Sequence, residues 1–165
     1  MKTFGIVGWK NSGKTGLVER LVTEISLRGF SVSTIKHAHH TFDIDQMGKD
    51  SFRHRQAGAI EVLLSSENRW ALMHELRDSS EPNLNELLSK LSPVDLVLIE
   101  GFKNEHCLKM EAYRIENNNI PLGQSANDII ALASNTTHPN LNLPIFDLDD
   151  TSEIANFILR EVDLK

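Results

Sequence analysis

Residues 8–15 read Gly8-Trp9-Lys10-Asn11-Ser12-Gly13-Lys14-Thr15. This run fits the phosphate-loop pattern G-x-x-x-x-G-K-[ST] at every fixed position, and a chance match in a chain of this length has odds of roughly one in a hundred. The glycines let the backbone curl so that successive N–H groups face a phosphate, and a following helix adds the positive end of its dipole. The run predicts a phosphate-binding loop; the alternative is a glycine-rich turn that binds nothing.

The flanking sequence supplies a strand before this loop and a helix after it. Residues 3–7 are short, apolar and β-rich. From Lys14 to Arg28 apolar residues recur at helical spacing, and Gly29 is placed to end that helix in the left-handed conformation. A second strand follows at residues 30–35. Strand, helix and strand in this order form a βαβ unit, which predicts two parallel strands.

The rest of the chain continues the α/β pattern with one departure from it. Helices are predicted from Asp50 or Ser51 to near Gly58 and over 83–91 and 152–162; strands are predicted over 61–65, 69–75, 94–99, 108–115, 129–134 and 144–148, with a surface loop at 116–119. The strands over 61–65 and 69–75 predict a β-hairpin. The sequence therefore predicts an α/β, P-loop NTPase-like three-layer sandwich with a mostly parallel sheet, an inserted β-hairpin and a single domain over 1–165.

Composition excludes several classes of protein. The chain has 165 residues, with 17 Lys and Arg against 23 Asp and Glu and a net charge of -6. Nucleic-acid binding is not expected, because it requires clustered excess cations. The single cysteine, Cys107, allows neither an intrachain disulfide nor a cysteine-based zinc site. The N-terminal apolar stretch is too short for a signal peptide, and no window is long enough to span a membrane, so a cytoplasmic location is expected.

Three side chains are the predicted reaction centre. Lys14 is expected to reach the β- and γ-phosphates of a nucleotide, and the Thr15 hydroxyl to bind Mg²⁺. Glu100 ends the apolar strand 94–99 at the carboxyl edge of the sheet, where ligands bind in parallel α/β folds, so we expect it to contact the same metal. Asp95 is expected at the opposite edge, roughly 16 Å away at about 3.3 Å per residue. The alternative for Glu100 is a solvated acid at a strand end.

A basic, histidine-rich stretch follows the second strand. It comprises Lys36, His37, His39, His40, Lys49, Arg53, His54 and Arg55. We expect it to bind the phosphate of a second substrate, because a local excess of cations attracts anions. Two alternatives remain open: a metal site, for which the histidines would need a third ligand from elsewhere, and a solvated basic loop.

Five ordered motifs resemble the molybdopterin-guanine dinucleotide biosynthesis protein B family over nearly the whole chain. They are the phosphate loop, Thr34-Ile35-Lys36-His37-Ala38-His39-His40, Asp43–Asp45 with Gly48-Lys49-Asp50-Ser51, Arg53-His54-Arg55 with Ala57-Gly58-Ala59, and Glu100-Gly101-Phe102-Lys103. The resemblance implies a GTP-binding protein with weak GTPase activity. Such a protein assists the molybdenum cofactor guanylyltransferase that joins GMP to molybdopterin.

The resemblance also implies the ligands, the assembly and the site residues. GTP, Mg²⁺ and molybdopterin as a bound substrate are the implied ligands, and a homodimer is the implied assembly. Lys14 and Glu100 are the implied catalytic residues, and Thr15 and Glu100 the implied metal ligands. The implied binding residues are Gly8, Lys10, Asn11, Ser12, Gly13, Lys14, Thr15, Gly16, Lys36, His37, Lys49, Asp50, Arg53, Arg55 and Gly101.

Two features depart from related nucleotide-binding patterns. The chain has no N-K-x-D tetrapeptide, and Asn135 stands where we expect Asp as a guanine reader, so the guanine preference depends on the resemblance. Lys10 is the third rather than the second residue of the loop, so the extra-lysine loop of dimerising ATPases does not fit. Two other functions remain open: a small-molecule kinase or ligase of the P-loop type, and a non-catalytic molybdopterin-binding adaptor.

Overall fold

The computed structural model describes residues 1–38, 42–138 and 140–165. They form two compact units, one of Met1–His37 with Leu84–Lys165 and one of Ala38–Asn83. The single domain over 1–165 stays a prediction. None of the described helices combines the length and the apolar character that spanning a bilayer requires.

The described residues contain eight strands and four α-helices. The strands are β1 Lys2–Val7, β2 Val32–Lys36, β3 Glu61–Ser65, β4 Trp70–His74, β5 Leu96–Glu100, β6 Lys109–Tyr113, β7 Ile129–Ser134 and β8 Ile145–Asp147. The helices are α1 Lys14–Leu27, α2 Asp50–Gln56, α3 Leu84–Leu88 and α4 Thr151–Glu161.

The first unit is built on a parallel sheet with β1 in its interior. Its described strands follow the order β2-β5-β1-β6-β7-β8, and each neighbouring pair is parallel. The register pairs Ile6 with Glu100 on one side of β1 and Val7 with Glu111 on the other. The loop that follows β1 therefore leaves the sheet between the carboxyl ends of β5 and β6, where parallel α/β folds bind ligands.

Apolar side chains cover both faces of this sheet. On one face, α1 and α4 bury a cluster that includes Phe4, Ile6, Leu17, Leu21, Ile25, Leu98, Ile154 and Ile158. On the other face, α3 contributes Leu84, which packs with Val97 and Ile99 of β5. Because β5 is covered on both faces, its sequence is a continuous apolar run that ends at Glu100. Helix, sheet and helix confirm the predicted three-layer sandwich.

Several predicted boundaries are wrong by a few residues for local reasons. The second strand begins at Val32 rather than Phe30, because the backbone N–H of Ser31 donates to the Asp95 carboxylate at 2.7 Å. The helix predicted over 83–91 ends at Leu88, where the hydrogen bonds of residues 90 and 91 shorten to an i to i−3 pattern. The loop predicted at 116–119 includes part of a 3₁₀ helix, Ile115–Asn117.

The second unit contains α2 and an antiparallel hairpin of β3 and β4, which confirms the predicted hairpin. Arg55 of α2 connects three acidic side chains of this unit. Its guanidinium donates to Asp43 at 2.8 Å, to Asp45 at 2.7 Å and to Glu75 at 3.2 Å. The hydrogen bond to Asp45 is the main reason that the pKa of Arg55 lies above its usual range.

Candidate functional site

The loop between β1 and α1 has the curled backbone that its glycines predict. Gly8 has φ +144°, and a Cβ there would lie 2.3 Å from the carbonyl oxygen of Ala112. Gly13 has φ +91° and forms the left-handed N-cap of α1. Asn11 also has a positive φ, at +62°. Side chains at Gly8 and Gly13 would therefore be strained or would clash, and the loop leads directly into a helix N-terminus.

The Lys14 ammonium lies within the loop. It donates to the carbonyl oxygen of Trp9 at 2.6 Å. Burial lowers the pKa of Lys14, the Glu100 carboxylate opposes that shift, and the neighbouring Lys103 and Lys36 ammonium groups add to it. An anion bound here would relieve the repulsion among the three lysines.

Thr15 and Glu100 meet as predicted. The Thr15 hydroxyl donates to Glu100 Oε1 at 2.9 Å. The Lys36 ammonium lies 3.3 Å from that oxygen and 3.5 Å from Thr15 Oγ1. The Glu100 side chain is only 11% exposed, so this cluster of hydroxyl, carboxylate and ammonium groups is partly shielded from water. Their roles in metal binding stay a prediction, although the structure places the two oxygens side by side.

Asp95 lies at the opposite edge of the sheet, before the first residue of β5. Its carboxylate accepts from the backbone N–H and the hydroxyl of Ser31 at 2.7 and 2.6 Å. The bond to the Ser31 hydroxyl is the main cause of a lowered Asp95 pKa. The prediction that Glu100, and not Asp95, lies beside Thr15 is confirmed.

Other predicted loop residues have defined positions. The Ser12 side chain is buried, and its hydroxyl has no hydrogen-bond partner among the described residues. Lys10 is exposed and its carbonyl oxygen accepts from the Asn117 side chain at 3.1 Å. A Cβ at Gly16 would meet nothing closer than 3.6 Å, so that glycine is not required by packing.

The predicted basic stretch divides between the two units. Lys36 and His37 belong to the first unit, where the His37 ring packs on Phe102 at 4.6 Å. A Cβ at Gly101, φ +94°, would lie 3.1 Å from His37 Cβ. Asp50, a predicted binding residue outside that stretch, lies in the second unit. So do the remaining described members of the stretch: Lys49, Arg53, His54 and Arg55. Their role in binding a phosphate stays a prediction.

The predicted alternative of a histidine metal site stays a prediction. It depends on His39 and His40, which lie outside the described residues. In the part of the chain that the structure describes, no group of three or more His, Cys, Asp and Glu side chains could hold a metal ion. A metal at this edge of the sheet would therefore need hydroxyl, phosphate or water ligands besides Glu100.

Asn135 follows β7 directly, at the carboxyl edge of the sheet. Its side-chain amide donates to both carboxylate oxygens of Glu116, at 2.9 and 3.0 Å, and its oxygen accepts from the backbone N–H of Ile115 at 3.1 Å. These bonds tie the loop after β6 to the loop after β7. They satisfy both polar groups of the Asn135 side chain, whose role towards a base stays open.

The sequence patterns assign no role to two residues of this site, Trp9 within the loop and Lys103 near it. The Trp9 carbonyl accepts from Lys14, and its indole N–H donates to the Ile120 carbonyl at 3.0 Å. The Lys103 ammonium lies 4.4 Å from the centre of the Trp9 ring. The position of Lys103, three residues after Glu100, was the signal that could have found it.

Comparisons with known proteins match one family over most of the chain. A family model described as molybdopterin guanine dinucleotide synthesis protein B matches residues 3–135. The chain is 37% identical over 154 residues to the molybdopterin-guanine dinucleotide biosynthesis adapter protein of Escherichia coli (strain K12), covering 92% of this chain and 87% of that protein. It is 38% identical over 158 residues to the protein of that name from Haemophilus influenzae, covering 93% and 85%.

A solved structure shares the fold. The X-ray crystal structure of a MobB protein homolog from Bacillus stearothermophilus matches with a TM-score of 0.75 and 28% identity, covering 99% of each chain. The likeness therefore includes both the phosphate loop and the segment that carries Glu100.

Proposed function

Because the chain belongs to the molybdopterin-guanine dinucleotide synthesis protein B family, we propose that it binds GTP at residues 8–15 and assists the attachment of GMP to molybdopterin. The observation that carries the proposal is the curled loop at the N-terminus of α1, with Lys14, Lys36 and Lys103 around it. A chain with net charge -6 thus has a local group of cations where backbone N–H groups can bind a phosphate.

The pair of oxygens at Thr15 and Glu100 supports Mg²⁺ as a companion of the nucleotide. Mg²⁺ binds oxygen ligands at about 2.0–2.1 Å in an octahedron, so two adjacent ligands lie about 2.9 Å apart. Thr15 Oγ1 and Glu100 Oε1 are 2.9 Å apart. Thr15 and Glu100 would hold the metal, which would neutralise charge on the phosphates, while Lys36 would move away from Glu100 to contact an anion.

We propose that hydrolysis of GTP is weak. Lys14 would stabilise the charge of the phosphates, which is the part of the chemistry that a phosphate loop supplies. Rapid hydrolysis also needs a group that orients the attacking water. Oε1 of Glu100 contacts both Thr15 and Lys36, so this carboxylate is placed to hold the metal rather than to orient a water. An accessory role fits such a site better than fast turnover.

The wider assembly is part of the same proposal. We propose a cytoplasmic homodimer that acts with the molybdenum cofactor guanylyltransferase and takes up molybdopterin near the basic residues of the second unit. Two relatives are named adapter proteins of molybdopterin-guanine dinucleotide biosynthesis, which supports a protein partner. On the hairpin, Leu63, Leu72 and Trp70 are exposed, which supports contact with a second copy.

Calorimetric titration tests the nucleotide site. Wild type, Lys14→Ala and the control Lys2→Ala, at the opposite edge of the sheet, would each be titrated with GTP and ATP, with and without Mg²⁺. Loss of a charged hydrogen-bond donor should weaken GTP binding about tenfold to a hundredfold in Lys14→Ala alone. Equal GTP affinity in all three proteins would refute the proposed site.

Titration with molybdopterin and a coupled transfer assay separate the candidate functions. An accessory protein should accelerate the guanylyltransferase reaction and lose that effect in Lys14→Ala. Fast, acceptor-dependent release of GDP or ADP by the chain alone would favour a kinase or ligase. Full acceleration by Lys14→Ala, with molybdopterin still bound, would favour an adaptor that does not use the nucleotide.

A further inference from the structure

The backbone after Glu100 turns sharply. Gly101 has φ +94° and Phe102 has φ +48°, so two consecutive residues adopt the left-handed conformation. For Phe102 that conformation is unfavourable, and burial of its ring with Val97 and Ile99 compensates. The turn brings the next residue, Lys103, back to the phosphate loop, where its ammonium lies above the Trp9 ring. Strained backbone of this kind concentrates at functional sites.

A buried lysine anchors the backbone that carries Lys103. The Lys109 ammonium, 1% exposed, donates to the Lys103 carbonyl at 2.9 Å, donates to the Glu105 carbonyl and pairs with the Asp128 carboxylate. The main chain at residue 103 is therefore fixed while its side chain is exposed. A fixed backbone with an exposed cationic side chain is suited to binding an anion with little loss of backbone entropy.

Trp9 is a fixed support for that ammonium. Its indole N–H donates to the Ile120 carbonyl at 3.0 Å, which fixes the plane of the ring. The same residue accepts the Lys14 ammonium on its carbonyl oxygen at 2.6 Å. Two lysines therefore contact one residue of the phosphate loop. The contact of Lys103 with this partly exposed ring is much weaker than a charged hydrogen bond to a phosphate, so a bound phosphate can displace it.

We propose that Lys103 is a phosphate-binding residue that leaves Trp9 to contact the terminal phosphate of a nucleoside triphosphate. This inference rests on the proposed nucleotide site and goes beyond it, since it gives that site a means of distinguishing triphosphate from diphosphate. Lys103 is three residues after Glu100, and Glu100 lies beside Thr15, where we propose that Mg²⁺ binds. Thr15 and Glu100 would hold a metal that neutralises charge on the phosphates, so the terminal phosphate would lie on the side of the site where the turn after Glu100 carries Lys103.

The test compares binding of a β,γ-imido analogue of GTP with binding of GDP, both with Mg²⁺. The protein is the full chain with Trp70→Phe, in which Trp9 is the only tryptophan. Lys103→Met keeps an unbranched side chain of similar volume and removes its charge, and Lys103→Arg restores a cation. Lys2→Met is the control at the opposite edge of the sheet. Calorimetry gives the affinities, and Trp9 emission reports loss of the ammonium from the ring.

We expect Lys103→Met to change the affinities for the two ligands differently. Lys103→Met should weaken binding of the analogue about tenfold to a hundredfold and leave GDP binding unchanged, and Lys103→Arg should recover most of the loss. The analogue should change Trp9 emission in the parent more than GDP does. Parent-like affinity of Lys103→Met for both ligands would overturn the inference and leave the nucleotide site standing. Failure of the wild-type chain to bind either ligand would overturn both.

Discussion

Replacement of Lys109 by methionine tests the buried ion pair beneath the loop at 102–107. Methionine keeps the volume of the side chain but leaves the Lys103 and Glu105 carbonyls and the Asp128 carboxylate without their donor. Removing one partner of a buried pair costs about 3–5 kcal/mol. Because the Asp128 side chain is 31% exposed, water compensates part of that loss. We therefore expect the free energy of unfolding to fall by about 2–4 kcal/mol.

Urea unfolding followed by circular dichroism measures this loss. With a slope of about 2 kcal/mol per molar urea, the midpoint should fall by about 1–2 M. Lys90→Met, a change at an exposed lysine, is the matched control. In an Asp128→Asn background the Lys109→Met change should cost less, because the carboxylate is already gone. A midpoint that moves by less than about 0.3 M would show that Lys109 does not stabilise this loop.

Three further changes test other parts of the structure. Thr15→Ala should weaken GTP binding roughly tenfold with Mg²⁺ and little without it. The control Thr23→Ala on the same helix should leave GTP affinity unchanged in both conditions. Equal effects of Thr15→Ala with and without Mg²⁺ would contradict metal binding by Thr15. Burial raises the pKa of Glu111, so the folded protein should lose stability as pH rises through that pKa. Glu111→Gln should flatten this decline in unfolding free energy from mildly acidic to neutral pH. Parallel curves of unfolding free energy against pH for the two proteins would contradict this. Arg55→Met should speed hydrogen exchange around Asp43, Asp45 and Glu75 in the second unit, compared with the exposed control Gln56→Met; unchanged exchange would show that the ion pairs of Arg55 do not stabilise it.

Local sequence signals predicted the elements around the phosphate loop. The G-x-x-x-x-G-K-[ST] spacing, the helical periodicity after Lys14 and Gly29 beyond the helix end are short-range patterns, and β1, α1 and β2 follow from them. The apolar run of β5 identified a strand covered on both faces, and its last residue identified Glu100. The family resemblance and the α/β fold are confirmed by the comparisons.

Those short-range patterns could not predict contacts between residues far apart in the chain. A lysine in strand β6 gives no sign that its ammonium is buried against a loop carbonyl four to six residues earlier, as that of Lys109 is. The three carboxylates that contact Arg55 come from separate segments, so the sequence pattern gave no sign of these ion pairs. The contact between Lys103 and Trp9 joins loops that are 94 positions apart in the chain. Only the folded backbone brings these groups together.

A crystal structure of the complex with Mg²⁺ and the β,γ-imido analogue of GTP would show where the nucleotide binds. We expect the β-phosphate against the backbone N–H groups of residues 9–14, the Lys14 ammonium moved from the Trp9 carbonyl to the phosphates, and a metal bound to Thr15 Oγ1. A saturated crystal in which the nucleotide binds elsewhere, with Lys14 still on Trp9, would contradict it.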